Sequence, residues 1–449
     1  MSDSRSREMN AARGDHAHDD ADAVGCWVTR VPELEHTFSG RLRIDPVDAA
    51  AVLARADLGD QYIVYEWAGT WHVAAGAAAE LSVTADALRL RAGQWHDSLP
   101  VTDPVEATGD AVSRLQRSCP ERWCYGWAAF ELAYCIYGMH GASDGLCGGR
   151  AEVGNDPIIH VMVPAVDVVL RDGRVSIAST TDALLSRVRR ALDSNQEVPL
   201  VGPSISIPDM DSRPYSIAVQ KSIDAINDHQ LNKVVLSRVV PLPERSRLDF
   251  AQTYVVGRRA NTPARSFLMH LGGWSAVGFS PETVLEVDKN RRVRTLPLAG
   301  TRALVDDPET ARRIRGDLLS DVKEIHEHAI SAKLAMDEVR RVCDPGTVSV
   351  DRFMDIEERG SVQHLASRVT GVLRDEESPW TALSALFPAI TTTGVPKSAA
   401  LDLIHSLEDT ARGLYGGAVL ALAPDGALDA ALILRTVFQR RGRAWLRVG

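Results

Sequence analysis

Read for periodicity alone, the chain is weakly patterned in its first part and sharply patterned in its second. From residue 23 to 200, short apolar runs alternate with turns, and the aromatic, alanine-rich stretch Tyr125–Gly138 reads as core. A segment carrying Pro199, Pro203, Pro208 and Pro214 reads as a crossing linker. Beyond it the spacing predicts a helix over 215–231, a strand over 232–242 and a helix over 249–260 stopped by Asn261-Thr262-Pro263. Strands follow near 265–271, 274–288 and 291–298, the last ending in a glycine turn at Ala299-Gly300.

The clearest helix covers 321–341. Val322, Ile325, Ala329, Ala332, Met336 and Val339 recur three and four residues apart, which makes one apolar stripe. Ser320 is the expected cap, with Asp321 and Glu324 in the first turn and Asp344-Pro345-Gly346 as the stop. The last part reads as a meander of strands over 413–422, 428–439 and 444–449, with turns at Ala423–Gly426 and Arg440–Gly442. Runs of strands punctuated by separate helices predict an α+β fold, not a βαβ array.

Composition narrows the classes. The 449 residues are 45% hydrophobic and 24% charged, which is ordinary globular usage. At about 150 residues per domain this is roughly three domain-equivalents, though one large domain is also allowed. Sixty acidic against fifty basic residues give −10, which argues against nucleic acid. An anionic ligand must then be held by local cations or a metal. No run of about 18 apolar residues exists, so no membrane span is expected. Residues 1–22 lack an apolar signal core and read as a disordered polar leader. Six scattered cysteines without a C-x-x-C suggest reduced thiols and a cytoplasmic location.

Several residues could carry chemistry. Lys233 opens an apolar strand, where desolvation would favour a neutral amine able to act as a base; the structural alternative is a lysine snorkelling at a strand end. Glu282 follows Gly278-Phe279-Ser280-Pro281, and an apolar turn would keep its carboxyl protonated; the alternative is a solvated loop carboxylate. Glu324, Glu327 and His328 share about one helical turn and could hold one cation. A helical-wheel count sets them nearly opposite the apolar stripe, which reads instead as a solvated face. Pro297–Arg302 and Thr391–Lys397 each place glycine, hydroxyl and cation in sequence, suited to a carboxylate. Arg435 sits in an otherwise apolar strand and needs an anionic partner, protein or ligand. Tyr415, among Gly413, Gly416 and Gly417, has room to contact a ligand.

Taken in order, the strings NKVVLSR (232–238), GFSPE (278–282), PLAGTR (297–302), KEIHEH (323–328) and RGSVQHL (359–365) form a recognisable series. It continues with LFPAITTTGVPK (386–397), RGLYGGAV (412–419), DGALDAALILR (425–435) and AWLRVG (444–449). The series resembles the chorismate-utilising enzymes: anthranilate, aminodeoxychorismate, isochorismate and salicylate synthases. GWAAFE (126–131) extends the resemblance toward the N-terminus. Salicylate synthases of siderophore pathways are the most similar group, because Lys233 stands where amine-adding members lack this base and so implies water as nucleophile.

The resemblance implies large, mostly antiparallel sheets packed face to face and flanked by helices. It implies an N-terminal part over 23–200 and a chorismate-binding core over 201–449. It assigns Lys233, Glu282 and His364 to catalysis, and Gly300, Thr301, Thr391, Tyr415, Arg435 and Gly449 to substrate binding. Glu327 and Glu324 would bind Mg²⁺. Chorismate would be the small-molecule partner of a monomer, with neither nucleic acid nor membrane. Members of the family continue past the position of Gly449 with a glycine and a helix bearing two further metal-site glutamates and a lysine. On that reading the core is C-terminally incomplete. Isochorismate synthase, anthranilate or aminodeoxychorismate synthase, and an inactive truncated paralogue are the competing implications.

Overall fold

A computed structural model describes residues 23–139, 156–194, 205–207, 209–243 and 248–449. The expected leader and most of the proline segment lie outside the described residues. Pro214 does not belong to a linker: it occupies the first turn of helix Arg213–Asn227, where its missing N–H costs nothing.

All but two of the strands join one antiparallel sheet, which folds back so that its two halves face each other. The first half runs through strands Arg238–Pro241, Arg443–Val448, Thr436–Arg440, Trp274–Ser280, Arg265–Leu271, Tyr62–Trp67 and Thr70–Val83. Strand Ile159–Arg171 then leads into Cys124–Ala128, Ala418–Leu422, Leu428–Leu432, Thr283–Val287, Arg292–Thr295 and Val362–Val372. The chain before residue 200 and the chain after it therefore share one sheet. Tyr65, Trp127, Phe267 and Phe438 interdigitate between the halves as a buried core. Helices Pro46–Arg55 and Phe250–Ala260 cover one outer face, and Pro104–Ser118, Val322–Val342 and Pro379–Leu386 the other. The α+β class with facing antiparallel sheets is what the structure shows. No helix of the described residues is long and apolar enough to cross a membrane.

Helix Phe250–Ala260 begins where expected, with the Asp249 carboxylate accepting the Gln252 N–H. The long helix differs in two respects. Its cap is Asp321, whose Oδ1 accepts from the N–H groups of Lys323 and Glu324, whereas Ser320 ends the preceding helix, Pro308–Ser320. Its buried face carries His328, Ser331, Ala332, Ala335, Glu338, Val339 and Val342, while Val322 of the expected stripe is 80% exposed. The helix turns a small and polar face to strands Leu298–Ala303 and Val362–Val372, where His328 Nε2 lies 2.7 Å from Ser367 Oγ. Glu324 follows that face inward, with a side chain 13% exposed. The solvated-face reading of Glu324 is thus overturned.

Three expected strands are split, and two further stretches depart from a regular strand. The 232–242 run splits into Lys233–Val234, paired with Gly394–Val395, and Arg238–Pro241, paired with Arg443–Val448. The 274–288 run breaks at Pro281-Glu282 between Trp274–Ser280 and Thr283–Val287. Leu298–Ala303 carries a bulge between Ala299 and Thr301. The 428–439 run breaks between Leu428–Leu432 and Thr436–Arg440, with Arg435 at φ 51°. The 413–422 run is strand only from Ala418.

Candidate active site

The interruptions converge. Glu282 turns inward at its corner and is 3% exposed. Its Oε2 accepts the Leu298 N–H at 3.1 Å, and its Oε1 accepts the Thr391 hydroxyl. Burial pushes its carboxyl up to about 7, against the lowering pull of those two bonds and of the Lys233 and Arg435 charges. A carboxyl so placed is available in both protonation states near neutral pH.

Lys233 lies on a two-residue strand held by Gly394–Val395. Gly394 has φ 150°, and a Cβ there would come within 2.1 Å of the Lys233 carbonyl oxygen, so only glycine allows this pairing. The lysine side chain is 18% exposed, and its Nζ sits 2.8 Å from Glu327 Oε1. Burial disfavours the Glu327 carboxylate, but the hydrogen bond and charge of Lys233 outweigh it and hold the group below the usual carboxylate range.

A second contact chain joins Thr301, His364 and Arg435. His364 Nδ1 is 2.9 Å from Thr301 Oγ1, and His364 Nε2 is 2.8 Å from Arg435 Nη2. A guanidinium only donates, so Nε2 accepts and the ring proton resides on Nδ1, directed at Thr301. Burial, then the charges of Arg435 and Arg359, lower His364 to about 4 and keep it neutral. Arg435 itself is exposed, with Nη1 donating to the Arg359 carbonyl oxygen at 3.2 Å. It is not a core-strand arginine. The strand break turns it out of the core toward His364 and Arg359, and no ion pair holds it among the described residues. Gly300, at φ 79°, completes this wall, since a Cβ there would sit 3.2 Å from Glu324 Oε2.

Tyr415 is buried between the Arg412 and Arg447 guanidiniums, 5.7 and 5.9 Å from its ring centroid. A Cβ on Gly449 would lie 3.0 Å from the Tyr415 hydroxyl and 2.3 Å from the Leu236 carbonyl oxygen. Direct contacts therefore join Lys233 to Glu327, Glu282 to Thr391, Thr301 to His364 and His364 to Arg435, while Gly300 and Gly449 leave no room for a side chain beside Glu324 and Tyr415.

Lys397 departs from expectation. Its Nζ is buried, 2.6 Å from Glu338 Oε1, and donates to the Leu386 carbonyl oxygen at 2.8 Å. The cation serves the protein, not a ligand. Sequence reasoning also missed the support behind the site. Glu408 accepts from Arg412, from Arg447 and from the Ser237 N–H. Arg412 donates onward to the carbonyl oxygens of Thr392 and Val235. These bonds tie the Thr391 loop, the segment after Lys233 and the strand before Gly449 together. A charged residue inside an otherwise buried string was the available signal.

Among the described residues no group of three or more His, Cys, Asp or Glu side chains could hold a metal ion. Glu324 and Glu327 stand one turn apart, satisfied by Arg302 and Lys233 respectively.

A family model described as chorismate binding enzyme matches residues 60–449. The salicylate synthase of Mycolicibacterium paratuberculosis is 38% identical over 413 residues, covering 91% of this chain and 88% of its own. Two solved structures share the fold at a TM-score of 0.68 each. Anthranilate synthase component I from Streptococcus pneumoniae is 23% identical, covering 85% of this chain and 87% of its own. The menaquinone-specific isochorismate synthase from Escherichia coli is 18% identical, covering 92% of this chain and 88% of its own. With the family match spanning most of its length, the chain belongs to the chorismate binding enzyme family.

Proposed function

We propose that the chain is a salicylate synthase, converting chorismate through isochorismate to salicylate and pyruvate for siderophore biosynthesis in the cytoplasm. The observation that carries this reading is the pairing of a shielded amine at Lys233 with a buried carboxyl near pKa 7 at Glu282, close enough for the lysine charge to act on the acid.

In this reading Lys233 takes a proton from water as its oxygen bonds to C2 of chorismate. The ring double bonds shift, and Glu282 gives its proton to the departing C4 hydroxyl, which leaves as water. Isochorismate then loses its enolpyruvyl group, with the C2 hydrogen moving to the methylene carbon, leaving salicylate and pyruvate. Glu327 Oε1 is 2.8 Å from the Lys233 Nζ, so this contact must open before the amine can reach a water. The exposed Arg435 guanidinium suits a substrate carboxylate, and neutral His364 orients it. Gly300, Thr301, Thr391, Tyr415 and Gly449 supply the remaining substrate wall.

The carboxylates fit magnesium, which takes few protein carboxylates plus substrate oxygens and water. Glu327 is ionised, and Gly300 leaves space beside the Glu324 oxygens. Glu324 and Glu327 would hold the ion, which when bound would neutralise the ring carboxylate.

Incubation with chorismate and Mg²⁺ tests the proposal. Fluorescent salicylate with one pyruvate per turnover is expected. Accumulation of isochorismate alone would overturn the salicylate assignment, and an amine-dependent product would overturn the role of Lys233.

A further inference from the structure

The strand breaks that set Glu282 and Arg435 lie opposite one another in the sheet. Gly278 pairs with Thr436 on one side of the gap, and Thr283 with Ala431 on the other. Within the gap the Phe279 N–H reaches the Arg435 carbonyl oxygen, and the Leu432 N–H the Glu282 carbonyl oxygen, each at 3.3 Å. None of these bonds involves Pro281, which has no N–H to offer a neighbouring strand.

One residue from a different part of the sheet spans both breaks. Arg359 closes strand Ser349–Arg359, whose Glu357 stands opposite His364 in register. Its Nε donates to the Pro281 carbonyl oxygen at 2.9 Å, one residue before Glu282. Its own carbonyl oxygen accepts Arg435 Nη1 at 3.2 Å. Arg359 Nη1 lies 2.9 Å from Glu357 Oε2 and donates to the Glu358 carbonyl oxygen at 3.0 Å. The hairpin end is itself anchored. The Thr262 hydroxyl accepts the Gly360 N–H at 2.9 Å and donates to the Glu358 carbonyl oxygen at 3.2 Å. Two guanidiniums, Arg352 and Arg359, meet two carboxylates, Asp355 and Glu357. The Arg359 fork is therefore taken up by protein acceptors, and its side chain is only 13% exposed.

We propose that Arg359 is a positioning residue: its side chain fixes the Pro281-Glu282 corner relative to the Arg435 guanidinium. It sets the spacing between the proton donor and the group that takes the substrate carboxylate, and touches neither substrate nor reacting atoms. The proposal rests on the roles given to Glu282 and Arg435 above. The backbone carbonyl that holds Arg435 survives any substitution at 359, whereas the bond to Pro281 does not. Loss of the side chain should thus act on the acid and spare the carboxylate contact.

The test follows chorismate loss with Mg²⁺ in the full chain. Arg359→Lys keeps a cation for Glu357 but cannot also hold Pro281. It is expected to lower kcat about 10- to 100-fold through misplacement of the acid. KM should stay within about twofold, because substrate binding is untouched. Added to Glu282→Gln, the same substitution should cost nothing further, since the residue it positions is already disabled. If Arg359→Lys is unfolded in a thermal melt, Arg359→Gln combined with Glu357→Gln removes both charges together and is held to the same pattern. The infrared band of the Glu282 carboxyl, assigned by its loss in Glu282→Gln, gives a readout without turnover. Its titration midpoint should fall from about 7 in Arg359→Lys as water enters the loosened corner, with Lys233, Arg435 and Thr391 still facing it. An unmoved midpoint, a raised KM at unchanged kcat, or an equal kcat loss in both backgrounds would each overturn the proposal. Glu282→Gln at the parental rate would remove the acid assignment and this role with it, whereas a product other than salicylate would overturn the reaction alone.

Discussion

Two buried carboxyls in this molecule reach the same pKa by the same cause and stand in opposite surroundings. Asp167 lies within the unbroken strand Ile159–Arg171, paired on both sides with Ala74 and Ala178. Burial raises it to about 7, and the Tyr125 hydroxyl donates to it from 3.1 Å while His72 Nδ1 lies 3.1 Å from that hydroxyl. Glu282 is also raised to about 7 by burial, but it sits at a broken strand, within reach of the Lys233 and Arg435 charges. A shifted pKa therefore does not by itself mark a site. What separates the two is that an intact strand seals its acid inside the sheet, whereas a strand break aims its acid at cations that are not neutralised by the sheet. Glu408 is a third case: burial raises it, yet Arg412 and Arg447 outweigh burial and keep it ionised.

The sharpest way to break the comparison is substitution at the corner. Glu282→Gln and Lys233→Ala are each expected to lower kcat by about 10²–10⁴, the usual share of a positioned acid or base, with the melting temperature little changed. Steady-state assays with chorismate beside thermal melts check this. Glu408→Ala should do the reverse first. Removing the carboxylate strands two buried guanidiniums, and a loss of about 3–5 kcal/mol in denaturant-measured stability is expected. Arg435→Ala should raise KM about tenfold while leaving stability unchanged, because the arginine is exposed and not packed in a core strand. Glu327→Ala should weaken Mg²⁺ activation, read from a magnesium titration of the rate. The smallest effect on turnover is expected from Asp167→Asn, which should cost roughly 1–3 kcal/mol of stability and leave kcat/KM intact.

Much of the fold was legible from the chain. Helix 249–260, strand 265–271 and the closing strand near 444–449 lie where propensity, caps and turn residues place them. The long helix was legible in extent but not in orientation. Periods of three and four fit two stripes, and the buried one contains His328, Ser331 and Glu338, which a search for apolar positions passes over. The strand breaks were not legible, because Val234 to Val240 and Ala430 to Val437 stay largely apolar through the interruption. What stops these strands is partners distant in sequence, such as Glu408 accepting the Ser237 N–H. Glu282 and Lys233 were legible by motif, but the ion pair of Lys233 with Glu327 was not. The same holds for Lys397, whose partner Glu338 lies far from it in the chain.

Protonation ties the comparison to two observables. Both acids have folded pKa values above their ordinary ones, so each contributes stability that is present at low pH and lost as pH rises through about 7. Only the protonated form of Glu282 can donate to a leaving group, so kcat/KM should fall above about pH 7. The pH dependence of kcat/KM in the parent chain and in Asp167→Asn is the most direct test. The account requires the same descending limb near pH 7 in both, with the stability profile altered only in the variant. A limb that moves or vanishes in Asp167→Asn would contradict it, because the sealed acid, not the one at the corner, would then be governing turnover.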